Sequence, residues 1–295
     1  MAAISDGIFA VALTRIEVAA RTPAFAHRTR RRPNYRNRSG GLPNAPLLCQ
    51  GCPFGAGPSP GGEVFKLSPP TKPNGAWKYG VLHAFQASGP SGPVGGVVQD
   101  SSGALFGVTF FGGAHGDGTV FKLNGPTVFR VTATSFTTIF TFNVNGTQGN
   151  GCLSLIRSPE ETLYGTTFTG GTATSDTGGI GSLGLLFALT PTPATNPWTY
   201  SVLHAFTASG KQAPANPDGL AFLPFRENYG VSGSTSGAGA VFTWVPQTKK
   251  FGAFLLPAPL GFPQSPLLWN SLHRTFFGTT PQGGSNSLGA VFEFS

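Results

Sequence analysis

The feature that most limits what this chain can fold into is a short module that returns five times. A Val-Phe or Leu-Phe pair follows a glycine-rich loop at Val64-Phe65, Val120-Phe121, Leu186-Phe187, Val241-Phe242 and Val291-Phe292. The phenylalanines lie 56, 66, 55 and 50 residues apart. Ahead of each stands an aromatic-glycine pair: Phe54-Gly55, Phe106-Gly107, Tyr164-Gly165, Tyr229-Gly230 and Phe277-Gly278. A longer echo follows the first and third copies, WKYGVLHAF at Trp77–Phe85 and WTYSVLHAF at Trp198–Phe206. Degenerate forms, TTIFTF at Thr137–Phe142 and FGAFLL at Phe251–Leu256, follow the second and fourth.

Each unit reads as four short strands. In the second unit they are Gly96–Asp100, Leu105–Thr109, Thr119–Leu123 and the equivalent of Trp77–Phe85. The runs are rich in Val, Phe, Tyr and Thr, and Gly, Pro, Asn and Ser punctuate them. Alternation along Trp77–Phe85 assigns Trp77, Tyr79, Val81, His83 and Phe85 to one face. No stretch of the repeat region holds a 3.6-residue period, so almost no helix is expected there. A four-stranded sheet of about 50 residues is the size of one propeller blade. Alone it leaves an apolar face in water; stacking such sheets about an axis buries that face and protects the edges. The expectation is therefore an all-β propeller of about five four-stranded blades, with an incomplete or open ring as its variant. Its units are about 42–85, 93–142, 150–206, 217–256 and 265–295. Pro46-Leu47-Leu48 resembles Pro266-Leu267-Leu268, which reads as a surviving first strand in the shortened first unit. The fifth unit ends after its third strand, and Gly7–Leu13 is the candidate to supply a fourth and join the ends of the ring.

Composition enters through charge. The chain of 295 residues carries a formal charge of +8, but eight Arg and only Asp6 and Glu17 fall within residues 1–48. The folded part is thus near neutrality, and residues 1–41 read as a basic, disordered tail. Its densest run, with Arg28, Arg30, Arg31 and Arg32, has no aromatic platform or nucleic-acid module beside it, so nucleic acid is not the expected partner. Gly7–Leu13 lacks a positive flank and is too short to span a bilayer, which leaves no convincing signal peptide and no transmembrane segment. Three cysteines give one CxxC, Cys49 to Cys52, without the βαβ context of a redox motif or the four ligands of a zinc site. Neither a metal nor a cofactor is expected, and the glycine loops read as hairpin connections because they open strands and not helices.

The string formed by Asp100, Gly103, Leu105-Phe106-Gly107, Thr109, Gly112-Gly113, Gly116 and Gly118–Leu123, together with Val81–Phe85, resembles the GloVer-type tandem repeat of bacterial "choice-of-anchor" surface proteins. The likeness runs from about Gly40 to the C-terminus. It implies a secreted or surface-displayed repeat protein, a propeller, with no established activity.

Function is read accordingly as a non-catalytic, monomeric binding or scaffold module with an unknown glycan or protein ligand. Trp77, Trp198, Trp244 and Trp269 are the candidate stacking surfaces for sugar rings, with packing between blades as their structural alternative. A propeller-fold carbohydrate-active hydrolase or lyase is the competing reading. It would need convergent carboxylates, for which Glu63 and Glu293, flanking Val-Phe strands, are the candidates. A decayed or truncated repeat protein without selected activity is the third. His83 and His204, equivalent in VLHAF, read as structural.

Overall fold

In the computed structural model the described residues are 47–51, 61–68, 70, 76, 78–127, 130–143, 148–171, 183–192, 198–206, 214–223, 227–234, 239–257, 260–264, 266–270 and 272–294. The basic tail, Gly7–Leu13, the Phe54-Gly55 pair, Cys52 and Trp77 fall outside them.

The described chain is made of strands, in five antiparallel sheets that follow one another in sequence. The first holds β1 (Leu47–Gly51), β2 (Glu63–Ser68) and β3 (Lys78–Ala84). The second holds β4 (Ser91–Gln99), β5 (Leu105–Phe111), β6 (Thr119–Thr127) and β7 (Arg130–Thr141). The third holds β8 (Asn150–Arg157), β9 (Leu163–Thr169), β10 (Leu185–Pro191) and β11 (Trp198–Ala205). The fourth holds β12 (Pro214–Leu223), β13 (Glu227–Ser234), β14 (Ala240–Val245) and β15 (Lys250–Leu255). The fifth holds β16 (Leu268–Asn270), β17 (Thr275–Thr280) and β18 (Ala290–Phe294). Each sheet is an up-and-down meander, the strand order expected of a blade.

The leading strands lie side by side, β4 against β8, β8 against β12 and β12 against β16, while the trailing strands meet across the seams through their side chains. The sheets thus fan out from a shared inner edge. This is an open or incomplete β-propeller.

The core is divided into slabs, one per neighbouring pair of sheets. Val64, Leu82, Phe85, Leu105, Phe121 and Leu123 fill the seam between the first and second sheets. Phe106, Phe142, Cys152, Leu163 and Phe187 fill the next. Leu186, Phe206, Leu220, Phe242 and Trp244 fill the third, and Val241, Leu256, Leu267, Phe276 and Phe292 the fourth. Three of the four slabs hold the same pair: the phenylalanine of Val-Phe meets, edge to face, the last aromatic of the preceding sheet, whose place Leu256 takes in the fourth. Phe85–Phe121, Phe142–Phe187 and Phe206–Phe242 have centroids 5.3, 5.3 and 5.2 Å apart. Burying one such ring contributes about 2 kcal/mol, and the edge-to-face geometry adds about 1 kcal/mol.

The aromatic-glycine pair exists to admit that ring. Register places Gly107 opposite Phe121, Gly165 opposite Phe187, Gly230 opposite Phe242 and Gly278 opposite Phe292. A Cβ on Gly165, Gly230 or Gly278 would stand 2.2, 2.2 or 2.3 Å from the Cζ of the facing phenylalanine. No other residue fits there without expelling the ring.

Two expectations need correction. Leu47–Gly51 is not a surviving first strand. It pairs directly with β2, Cys49 opposite Phe65, and so holds the place that the aromatic-glycine strand holds elsewhere. The register of the Val-Phe strand decides this, because that strand can accept only one neighbour on each edge. Strict alternation in the VLHAF strand also fails. A bulge sets Val81 opposite Phe65 and His83 opposite Val64, leaving Leu82 between them. Leu82 turns into the slab, whereas Tyr79 and Val81 face outward, at 52% and 40% exposure. The same bulge recurs in β11 and β7.

Candidate functional site

The end of strand β5 leads into the glycine hairpin Gly112–Gly118 and carries an aromatic ledge. Thr109 fixes its exit. Its hydroxyl donates to the Phe111 carbonyl at 3.0 Å and accepts from the Thr119 N–H at 3.1 Å. Thr167 repeats the device with Thr169 and Leu185, and Thr280 with Gln282 and Ala290. In these three sheets the G-x-T triplet after the aromatic thus latches one strand to the next while satisfying two backbone groups.

Beyond Thr109 the chain places Phe110 and Phe111 at the mouth of the hairpin. Phe110 lies over Gly151 of β8, where a Cβ would come within 2.7 Å of the ring and φ is +66°. The hairpin is tied to the same strand. Asn150 Nδ2 donates to Asp117 Oδ1 at 2.7 Å, and Gly151 N–H donates to the Asp117 carbonyl at 3.1 Å. Phe168, the counterpart of Phe110 on β9, stands 6.4 Å from it, and Phe111 packs edge-on against Phe110 at 4.8 Å. Phe111 and Phe168 are each 45% exposed. Two sheets therefore contribute one ledge of three contiguous rings. Such a surface can stack on the apolar face of a sugar ring or on an apolar side chain.

The tryptophans are placed differently. Trp244 is 5% exposed within the third slab, so its ring faces are enclosed by protein and offer nothing to a ligand. Trp198 is half-buried and meets Phe106 edge-on at 5.6 Å. Trp269 is half-buried against Phe276 at 4.8 Å. Both rings close seams. Trp77 lies outside the described residues. The tryptophans are few and able to stack on sugar rings, which marks them in the sequence; the ledge phenylalanines are three among 26 of their kind.

The two candidate carboxylates, Glu63 and Glu293, lie on different sheets. Glu63 is buried on β2 of the first sheet, and Glu293 is half-buried on β18 of the fifth. They also occupy non-equivalent registers: Glu63 faces Gly51 and Ala84, whereas Glu293 faces Phe277. Asp100 is a turn cap. Its Oδ1 accepts from Ser102 N–H, Ser102 Oγ and Ala104 N–H at 2.9, 2.6 and 2.9 Å, and Lys122 Nζ lies 3.7 Å from Oδ2. Partial burial opposes its ionisation, but these donors and the ammonium outweigh it and hold the pKa below its usual value. Asn270 caps the equivalent turn of the fifth sheet, accepting from Leu272 and His273 N–H. Asp218, on β12, differs from Asp100: burial pushes its pKa up to about 6. Its backbone carbonyl accepts from Thr166 of β9 at 2.8 Å.

The VLHAF histidines are packing residues. His83 stacks on Phe136 at 4.4 Å and His204 on Phe251 at 3.6 Å, each across a seam. Burial holds both imidazoles below their ordinary pKa. Cys152 is buried in the second slab, and that burial pushes its thiol far up. Among the described residues no group of three His, Cys, Asp or Glu side chains could hold a metal ion. No helix among them is long and apolar enough to cross a membrane.

No family model matches the chain, and no curated protein matches it. Solved structures with a similar arrangement include the periplasmic gluconolactonase of Pseudomonas aeruginosa, at 13% identity and TM-score 0.46, covering 85% of this chain and 67% of that one. A GH43 β-xylosidase/α-arabinofuranosidase from a compost metagenome matches at 9% identity and TM-score 0.40, covering 79% of each chain. The PQQ-bound aldose sugar dehydrogenase of Streptomyces coelicolor matches at 11% identity and TM-score 0.34, covering 86% and 99%. Likeness at this level carries nothing about activity.

Proposed function

We propose that the chain is a non-catalytic binding and scaffold module of GloVer type, secreted or displayed on the cell surface, whose ligand lies on the Phe110–Phe111–Phe168 ledge. The observation that supports this is the pairing of two exposed rings on adjacent sheets, fixed by the Thr109 and Thr167 latches rather than left on long side chains in solvent. Carbohydrate is the ligand class, because an exposed ring face suits the C–H face of a pyranose, and Phe111 and Phe168 each offer one beside the inclined ring of Phe110. A glycan array probed with the full chain tests it. Binding to at least one glycan class is expected, reduced about tenfold or more by Phe111→Ala with Phe168→Ala, since stacking contributes about 1 kcal/mol per ring. An array without hits, or hits indifferent to both substitutions, overturns the reading.

Asp218 favours a second reading, a hydrolase. A carboxyl whose pKa is raised to about 6 is poised to donate a proton near neutrality. Hydrolysis of a chromogenic glycoside or lactone that Asp218→Asn abolishes would support it; turnover unchanged by that substitution would dismiss Asp218.

A further inference from the structure

The outer faces of the first and fifth sheets are two halves of a seam. Inside the chain, the third sheet receives the second on Leu163, Phe187, Leu189 and Tyr200. Register defines that receiving face: Leu189 stands opposite Leu163 and Tyr200, and Phe187 opposite Val202. The first sheet carries the same residues at the same positions. Leu67 stands opposite Leu47 and Tyr79, and Phe65 opposite Val81. Phe65 and Tyr79 meet at 5.2 Å, as Phe187 and Tyr200 meet at 5.5 Å. Yet Phe187 is fully buried, whereas Phe65 is half-exposed and Tyr79 52% exposed. The fifth sheet carries the other half. The second sheet presents Val98, Phe106 and Val120 to the third. Leu268 stands opposite Phe277 as Val98 does opposite Phe106, and Val291 pairs with Thr279 as Val120 does with Val108. Leu268 is 69% exposed, and Phe277 and Val291 are half-buried. Leu272 and Leu288, in the turns of this sheet, are also exposed. Among the described residues no slab joins the first sheet to the fifth.

We propose that the fifth sheet of one copy of this chain seats on the first sheet of another, so that copies join head to tail through a seam of the kind found inside each. A second copy is the occupant that carries both faces, and the register of each matches a seam already present in the chain. The two faces differ, so the contact is heterologous and leaves one of each free for a further copy. Burial of the exposed rings and of Leu268 drives it. The receiving positions carry no charge, and Glu293 on the other face holds the position of Lys122, whose side chain stays 28% exposed in the inner seam. Two differences make this seam weaker than the inner ones. Cys49 stands where Gly165 does, and among the described residues the fifth sheet has three strands, with no counterpart of Phe140 or Phe142 to reach across. The association is therefore reversible, and the monomer expected from sequence is the dilute form of the protein. The ledge lies on the second and third sheets and stays open in such an array.

Sedimentation velocity of the full chain over a concentration series tests this. Tyr79→Lys blocks the first sheet and Leu268→Lys the fifth; both side chains are exposed, so neither change disturbs a slab. For the wild type the weight-average mass is expected to climb from that of one chain, 30.5 kDa, to at least twice that value. Each variant alone is expected to remain a single chain, because each has lost one half of the seam. Mixed in equal amounts, the two are expected to form pairs and nothing larger, since the fifth sheet of the Tyr79→Lys variant can seat on the first sheet of the Leu268→Lys variant. A wild type that stays a single chain at every concentration overturns the proposal. So does a mixture that stays unpaired, or a variant that still pairs with itself, which would mean that one face meets its own copy. A single-chain wild type whose urea midpoint both substitutions lower would bring the two faces together within one chain, and equally refutes it.

Discussion

The second, third and fourth sheets differ from the first in one respect that explains most of its irregularities. Phe121, Phe187 and Phe242 each have a sheet on both sides and are fully buried; among the described residues no sheet precedes that of Phe65, which is half-exposed. Phe65 leans instead on Tyr79 of its own sheet, at 5.2 Å. The strand facing it carries Cys49 where the middle sheets carry glycine. Glycine is thus demanded by the enclosed ring and not by the strand. Where the ring is released, the demand lapses.

That comparison can be broken most directly at the glycines. Gly165→Ala, in a middle sheet, forces a methyl into Phe187 and should cost about 3 kcal/mol or more, read as a lost or much lowered urea midpoint. Gly278→Ala meets Phe292 as closely, but on a sheet that among the described residues packs against one neighbouring sheet, so the cost should be about half. Equal losses would mean that enclosure by neighbours is not what sets the requirement. Asp218 sharpens the comparison through pH. Its carboxyl has an ordinary pKa of 3.8 and about 6 in the folded chain, so ionisation opposes folding. Stability is expected to fall as pH rises from about 4 through 6, and Asp218→Asn should recover at most about 3 kcal/mol at pH 8 and little at pH 4. A pH-independent effect would mean that the seam between the third and fourth sheets is wetter than its geometry. The histidine stacks give the smallest effect. Burial lowers both pKa values, so the folded chain resists protonation and loses stability as pH falls below the ordinary 6.5. His204→Phe should flatten that acid-side loss in thermal melts from pH 7 to 5, and should flatten it more than His83→Phe, whose seam borders the half-open first sheet.

Much of the architecture was legible because its determinants are local and repeated. Aromatic-glycine and Val-Phe pairs are two halves of one ring-and-hole contact, so spacing alone located the sheets. The bulge at Leu82 was not legible, since the letters V-L-H-A-F do not say which residue goes unpaired; packing against Phe85 and Phe121 decides it. Nor was the reassignment of Leu47–Gly51, where a likeness between Pro-Leu-Leu triplets competed with a hydrogen-bond register invisible in sequence. Asn270 shows a role surviving a change of letter: Asp100 had no acidic counterpart to find in the fifth unit, but an amide oxygen caps the same turn. For the ledge, Phe110 and Phe168 share a strand position, yet exposure depends on the neighbouring sheet and not on that position.

Because each slab belongs to two consecutive sheets, cohesion in this molecule is local in sequence. Such an array behaves less like a sphere than like a stack of tiles. It frays inward from its termini, tolerates the gain or loss of a whole tile between any two others, and confines the damage from one bad contact to the seam that holds it.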